Sequence, residues 1–252
     1  MLNTVISGQP TENTPLLIAH GLFGSARNWG VIAKRLAENR QVVAVDMRNH
    51  GESDWHGSHD YSEIAGDLYE IIEDSGGRMD VLGHSMGGKA AMILAVRHTD
   101  AVRRLVVADI APTPYNHTQI HLVEAMRGVD LDYVNTRTEA NEALKPAVEE
   151  DGVRAFLLQS LDIKEKKWRL NLDVLADEMH KIIGFPQIEG HFDGPAMFLT
   201  GAESTYVTAE HRPEIKRLFP AARFAKIRGA GHWLHAEKPR EFEAAVRAFL
   251  DA

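Results

Sequence analysis

Ser85 stands inside Gly83-His84-Ser85-Met86-Gly87, the spacing a strained, exposed serine nucleophile needs. A chain that turns sharply from strand to helix crowds the positions two before and two after the turn. Glycine at both relieves the crowding and exposes the hydroxyl. The amide of Met86 then points at a developing oxyanion. The flanks agree, since apolar Met79-Asp80-Val81-Leu82 precedes the turn and helix-forming Lys89 to Ala95 follows it. A glycine-rich turn with an idle serine would explain neither flank. The chemistry is acyl transfer, and it requires a base to take the serine proton.

Imidazole is that base near neutral pH, but the chain has 13 histidines, so position decides. His232 follows the last apolar run, in Gly229-Ala230-Gly231-His232, on a loop that can reach over the sheet toward Ser85. It is also last in the chain order this kind of site uses. His235 is the rival, although Trp233 to Glu237 reads as the start of a helix. His84 adjoins the serine in the turn and points away from it, as pocket wall or core. The acid is a choice between two carboxylates. The loop Gly201-Ala202-Glu203-Ser204-Thr205 follows the next-to-last strand but holds no aspartate, only Glu203. Asp109 ends the strand after the nucleophile helix, and a strand-end carboxylate there can orient an imidazole. Asp109 is therefore favoured and Glu203 is the alternative.

His20-Gly21-Leu22-Phe23-Gly24 follows the first buried run and can offer a second amide to the oxyanion. Leu22 is the favoured donor, paired with Met86, and Phe23 is the rival donor as well as a candidate substrate contact. His20 reads as structural, holding this loop from beneath. Asp46 and Arg48, in Asp46-Met47-Arg48-Asn49-His50-Gly51, read as a buried ion pair under the loops rather than as a site.

Short apolar runs alternate with helix-period segments, the pattern of an α/β chain on a mostly parallel sheet. Six strands are expected: Leu16–Ala19, Val42–Val45, Met79–Leu82, Leu105–Ala108, Ala196–Leu199 and Ala222–Ile227. Helices are expected at Ser62–Asp74, Gly87–His98 and Pro239–Leu250. His20, Asp46, Ser85, Asp109 and His232 all fall at carboxyl ends of strands, where such sheets bind ligands. Residues 111–193 lack a convincing strand and are too long for one crossover, so they read as a helical cap inserted into a single domain spanning 1–252. Phe156, Trp168 and Phe185 are its candidates for an apolar acyl pocket; the competing reading has them holding the cap to the sheet.

With 28 basic and 36 acidic residues the net charge is −8, which disfavours nucleic acid and anionic membrane surfaces. No apolar run is long enough to cross a bilayer, and no basic-then-apolar leader opens the chain. The absence of cysteine excludes disulfides, thiolate metal sites and a cysteine nucleophile, and fits a cytoplasmic setting. No metal site is expected. Nothing in the sequence specifies an oligomeric state.

Taken together, His20-Gly21-Leu22-Phe23-Gly24, Arg48-Asn49-His50-Gly51, Gly83 to Gly88, Asp109-Ile110-Ala111-Pro112 and Gly231-His232-Trp233 resemble the α/β-hydrolase superfamily, and within it the YbfF-type esterases and related abhydrolase-domain proteins. The resemblance implies a helical cap, no cofactor, and activity on short-chain esters or acyl-CoA thioesters. A serine at the elbow argues against epoxide hydrolases and haloalkane dehalogenases, which need aspartate there. A carbon–carbon hydrolase, lactonase, perhydrolase or cofactor-free lyase could keep the same triad. A ligand receptor on this scaffold would not need one.

Overall fold

The computed structural model describes residues 1–252. Runs of apolar and β-branched residues become strands because such sequences bury both faces of a parallel sheet. After β1 (Thr4–Ser7) come β2 (Leu16–Ala19), α1 (Gly30–Leu36), β3 (Val42–Val45), α2 (Tyr61–Asp74), β4 (Met79–His84), α3 (Met86–Arg97) and β5 (Val102–Ala108). The next elements are α4 (Ile120–Arg127), α5 (Arg137–Leu144), α6 (Asp151–Leu157), β6 (Leu161–Asp162), β7 (Lys167–Trp168), α7 (Leu172–Asp177) and α8 (Met179–Ile183). The chain ends with β8 (Ala196–Gly201), α9 (Arg212–Leu218), β9 (Ala222–Ile227), α10 (Leu234–Glu237) and α11 (Pro239–Leu250).

The main sheet runs β1-β3-β2-β4-β5-β8-β9. All pairs are parallel except β1 with β3. β4, which delivers Ser85, is central, and its six residues are all buried. The sheet divides the interior into two cores. The larger one carries α2 and α3. The smaller one carries α1 and the Phe242, Val246, Phe249 and Leu250 face of α11. Asp60 starts α2 by accepting from the amides of Ser62 and Glu63. The edge strand β1 and the short hairpin β6–β7 were not expected from the sequence. β1 is mostly exposed, so it lacks the apolar run that marks the other strands.

Between β5 and β8 the chain is mainly helical, and β6–β7 forms a separate two-stranded hairpin rather than adding to the main sheet. This segment is tied down beside the strand ends. The Ser160 hydroxyl donates to the Phe23 carbonyl at 2.9 Å, and the Tyr61 hydroxyl donates to the Ile182 carbonyl at 2.6 Å. No helix is long and apolar enough to cross a membrane.

Candidate active site

The turn from β4 into α3 holds Ser85 at φ 52° and ψ −119°, a conformation that non-glycine residues adopt only under constraint. The neighbouring glycines supply the constraint. A Cβ on Gly83 would lie 2.2 Å from the Gly87 carbonyl oxygen, and one on Gly87 would lie 2.4 Å from that of Ala19. Both clashes are with backbone, so no side-chain adjustment relieves them. Gly87→Ala should therefore destabilise the fold by about 1–3 kcal/mol or more. Urea unfolding checks this, and an unchanged midpoint would show that the elbow tolerates the added carbon.

Three side chains from distant parts of the chain meet in one line. The Ser85 hydroxyl is 3.1 Å from His232 Nε2. The opposite ring nitrogen, Nδ1, is 2.8 Å from Asp109 Oδ2. Asp109 is fully buried, and its backbone is also left-handed at φ 52°. Its carboxylate accepts from the Gly201 amide at 3.2 Å and from the Ser204 hydroxyl. Glu203, the alternative acid, is exposed, and its side chain makes no hydrogen bond to His232. Gly201 lets the acid loop meet the histidine loop: a Cβ there would lie 2.2 Å from the Gly231 carbonyl oxygen.

The two loop amides near Ser85 differ in their partners. Phe23 sits at φ 63°, and its N–H donates to His50 Nε2 at 3.2 Å. The N–H of Leu22 donates to no protein group. Met86 opens α3, where the first amides have no partner within the helix. Leu22 and Met86 thus present the free amides beside Ser85.

Neutral histidines support the loops. His20 Nδ1 donates to the Gly21 carbonyl at 2.8 Å, and its Nε2 accepts from the Met47 amide at 2.9 Å. His84 Nε2 donates to the His232 carbonyl at 2.9 Å. Burial lowers the pKa of His20 and pushes His50 and His84 well below the usual imidazole range. His235, stacked on Trp29 with ring centroids 4.3 Å apart, is pushed to about 3 by burial. Asp46 and Arg48 do not pair with each other, contrary to expectation. Asp46 accepts from the amides of Ala26 and Glu52 and from the Asn3 side chain. Arg48 turns the other way, to Asp67 and Glu63 on α2.

A cavity of about 350 Å³ opens over Ser85, lined by Leu22, Phe23, Met86, Ile110, Phe156 and Ile182 among others. Two of the cap aromatics are elsewhere. Trp168 is buried in the cap, and its indole N–H donates to the Met126 carbonyl at 2.9 Å. Phe185 borders a separate groove with Pro112 and Glu214. Apolar character alone does not distinguish cap core from cap pocket, so these two aromatics were misplaced. Lys89, one turn beyond Ser85 and 1% exposed, also borders the cavity. Its ammonium donates to the carbonyls of Ile183 at 2.9 Å and Gly184 at 2.6 Å, at the end of α8.

Burial lowers the Lys89 pKa from 10.5 to about 7. Between those values the unfolded chain holds a proton that the folded chain does not, so this group adds stability as pH rises. The contribution is fully present above the unfolded value and is lost as pH falls through the folded one. Relative to Lys89→Met, the native protein should gain on the order of 1–2 kcal/mol of unfolding free energy between pH 7 and pH 9. Parallel stability–pH curves for the two proteins would refute this.

The sequence matches the α/β hydrolase fold family over residues 14–239. It is 42% identical over 247 residues to the sn-1-specific diacylglycerol lipase ABHD11 of Mus musculus, covering 93% of this chain and 80% of that protein. It is 38% identical over 243 residues to the esterase YbfF of Escherichia coli strain K12, covering 95% and 94%. A solved esterase from a marine microorganism superposes with a TM-score of 0.93 at 36% identity, covering 98% of each chain. The chain belongs to the α/β-hydrolase family and is an enzyme of the ester-hydrolase type.

Proposed function

We propose that Ser85 is the nucleophile, His232 the general base and Asp109 the orienting acid of a hydrolase that cleaves neutral carboxylic esters through an acyl-enzyme. The observation that carries this reading is the Ser85–His232–Asp109 line, with spacings of 3.1 Å and 2.8 Å. His232 takes the serine proton as the hydroxyl oxygen attacks the ester carbonyl, and the imidazolium is stabilised by Asp109. The oxyanion is received by the amides of Leu22 and Met86. Collapse returns the proton to the alcohol, which leaves the acyl group on Ser85. Water activated by the same His232 then releases the acid. Phe23 and Phe156 serve as apolar contacts for the substrate, whereas Trp168 and Phe185 serve packing.

Neutral esters are favoured over acyl-CoA because the lining offers little to hold phosphate. Its one lysine, Lys89, is buried, no arginine contributes, and Glu150 adds a negative charge. Residues 111–193 act as the cap of a single 1–252 domain in this reading, and the absence of cysteine fits a cytoplasmic enzyme. A fluorophosphonate probe should label the protein once, at Ser85. A panel of p-nitrophenyl esters, acyl-CoA thioesters and lactones should show the highest kcat/KM on the neutral esters. Labelling elsewhere would refute the nucleophile, and preference for acyl-CoA would refute the substrate class.

A further inference from the structure

The ring of Tyr206 lies flat on the ring of His232, with centroids 3.8 Å apart and planes 16° from parallel. We propose that Tyr206 is a positioning residue, whose π face fixes the tilt of the His232 ring and favours the imidazolium formed as Ser85 is deprotonated. The proposal rests on the reading of Ser85 and His232 as nucleophile and base.

Two hydrogen bonds, one at each nitrogen, leave an imidazole free to tilt about the line joining its partners. A flat neighbour removes that freedom. Tyr206 is itself well held. Its amide donates to Ser204 Oγ at 3.2 Å. Its carbonyl accepts from the Tyr115 hydroxyl at 2.7 Å. Its own hydroxyl meets His117 Nε2 at 3.0 Å. The face of an aromatic ring carries partial negative charge and attracts a cation within about 6 Å. It attracts a neutral imidazole far less, so the contact strengthens as charge develops on His232, which is the condition for accelerating a reaction.

The other groups around His232 fit this role. Asp109 supplies the one carboxylate hydrogen-bonded to the ring. His84, 4.8 Å away between centroids, is kept neutral by burial, and so is His235 behind it. Burial also lowers the pKa of His117. Trp233, 6.5 Å away, carries no charge. Burial and the Asp109 charge raise the Tyr206 pKa, so the ring remains a phenol rather than a phenolate.

A leucine at 206 would cover His232 without a π face. The test is the pH dependence of fluorophosphonate labelling and of kcat/KM for wild type, Tyr206→Leu and Tyr206→Phe. Labelling requires neutral His232, so the rate falls on the acid side. Tyr206→Leu should move that acid limb about 0.5 pH unit lower and reduce the plateau roughly 5- to 30-fold. Tyr206→Phe keeps the face and should return the limb to the wild-type position. The limb is read only over the pH range in which circular dichroism shows each variant folded, and rates are scaled to the folded fraction, so loss of folded protein on the acid side is not counted as titration. A Tyr206→Leu limb at or above the wild-type position overturns the proposal and leaves only packing. Full labelling of Ser85→Ala, or full turnover by His232→Gln, would instead overturn the triad reading beneath it.

Discussion

Ser85→Ala is expected to lose ester cleavage by about 10⁴-fold or more while keeping its fold. The serine side chain contributes little to stability here. It follows β4, whose burial is complete without it, and its backbone strain is held by Gly83 and Gly87 rather than by the hydroxyl. Alanine retains the φ of 52° under the same constraint. In the proposed mechanism, deleting the oxygen removes the attacking atom and leaves the Leu22 and Met86 amides, the cavity and the His232–Asp109 pair in place. Binding and oxyanion contacts alone support only a small residual rate. The measurement is kcat on one activated ester, with circular dichroism and urea unfolding to confirm an intact fold. Turnover close to wild type by a folded Ser85→Ala protein would remove Ser85 from the mechanism.

Much of this geometry was legible because buried parallel strands are short apolar runs. All six expected strands are found, and all extend to the stated ends or a few residues beyond. The loop after each run is then placed at the cleft, which is how Ser85, Asp109 and His232 come to be named together. β1 escaped because an exposed edge strand needs no apolar pattern. The cap was legible as helical but not in detail. A Trp or Phe in a helical layer has the same sequence signature whether it faces the cavity, as Phe156 does, or the cap interior, as Trp168 does. The buried pair expected of Asp46 and Arg48 does not form, because the turn between them sends the two side chains to different partners. Lys89, Ser204 and Tyr206 could not have been found this way. Their contacts join segments about 90 or more residues apart for Lys89 and Ser204, and 26 residues apart for Tyr206 and His232. No local pattern encodes them.

Asp109→Asn should cut kcat steeply, by as much as about 10⁴-fold, while Glu203→Gln has a small effect. The two carboxylates are the alternatives for one proposed role, and their surroundings differ. Asp109 is fully buried and its Oδ2 lies 2.8 Å from His232 Nδ1. Glu203 lies on the surface, bound to the site only through its backbone amide, which donates to the Ala230 carbonyl at 3.0 Å. Asparagine has nearly the volume of aspartate, so packing around residue 109 should survive. What it loses is the charge that stabilises the imidazolium, and its amide can turn an N–H toward Nδ1. The imidazole then takes the tautomer with its proton on Nε2, facing Ser85, and cannot act as the base. The Gly201 amide, which donates to Oδ1, would favour the asparagine oxygen there and leave the NH₂ at the Oδ2 position facing His232, where the Ser204 hydroxyl would have to accept rather than donate. Both substitutions should leave KM within a few-fold, since neither side chain lines the cavity. The check is kcat for both single variants on the same activated ester. A crippled Glu203→Gln beside a nearly normal Asp109→Asn would reverse the assignment. Comparable partial losses in both would mean that the acid role is shared, with Glu203 reaching inward in a way this arrangement of the loop does not show.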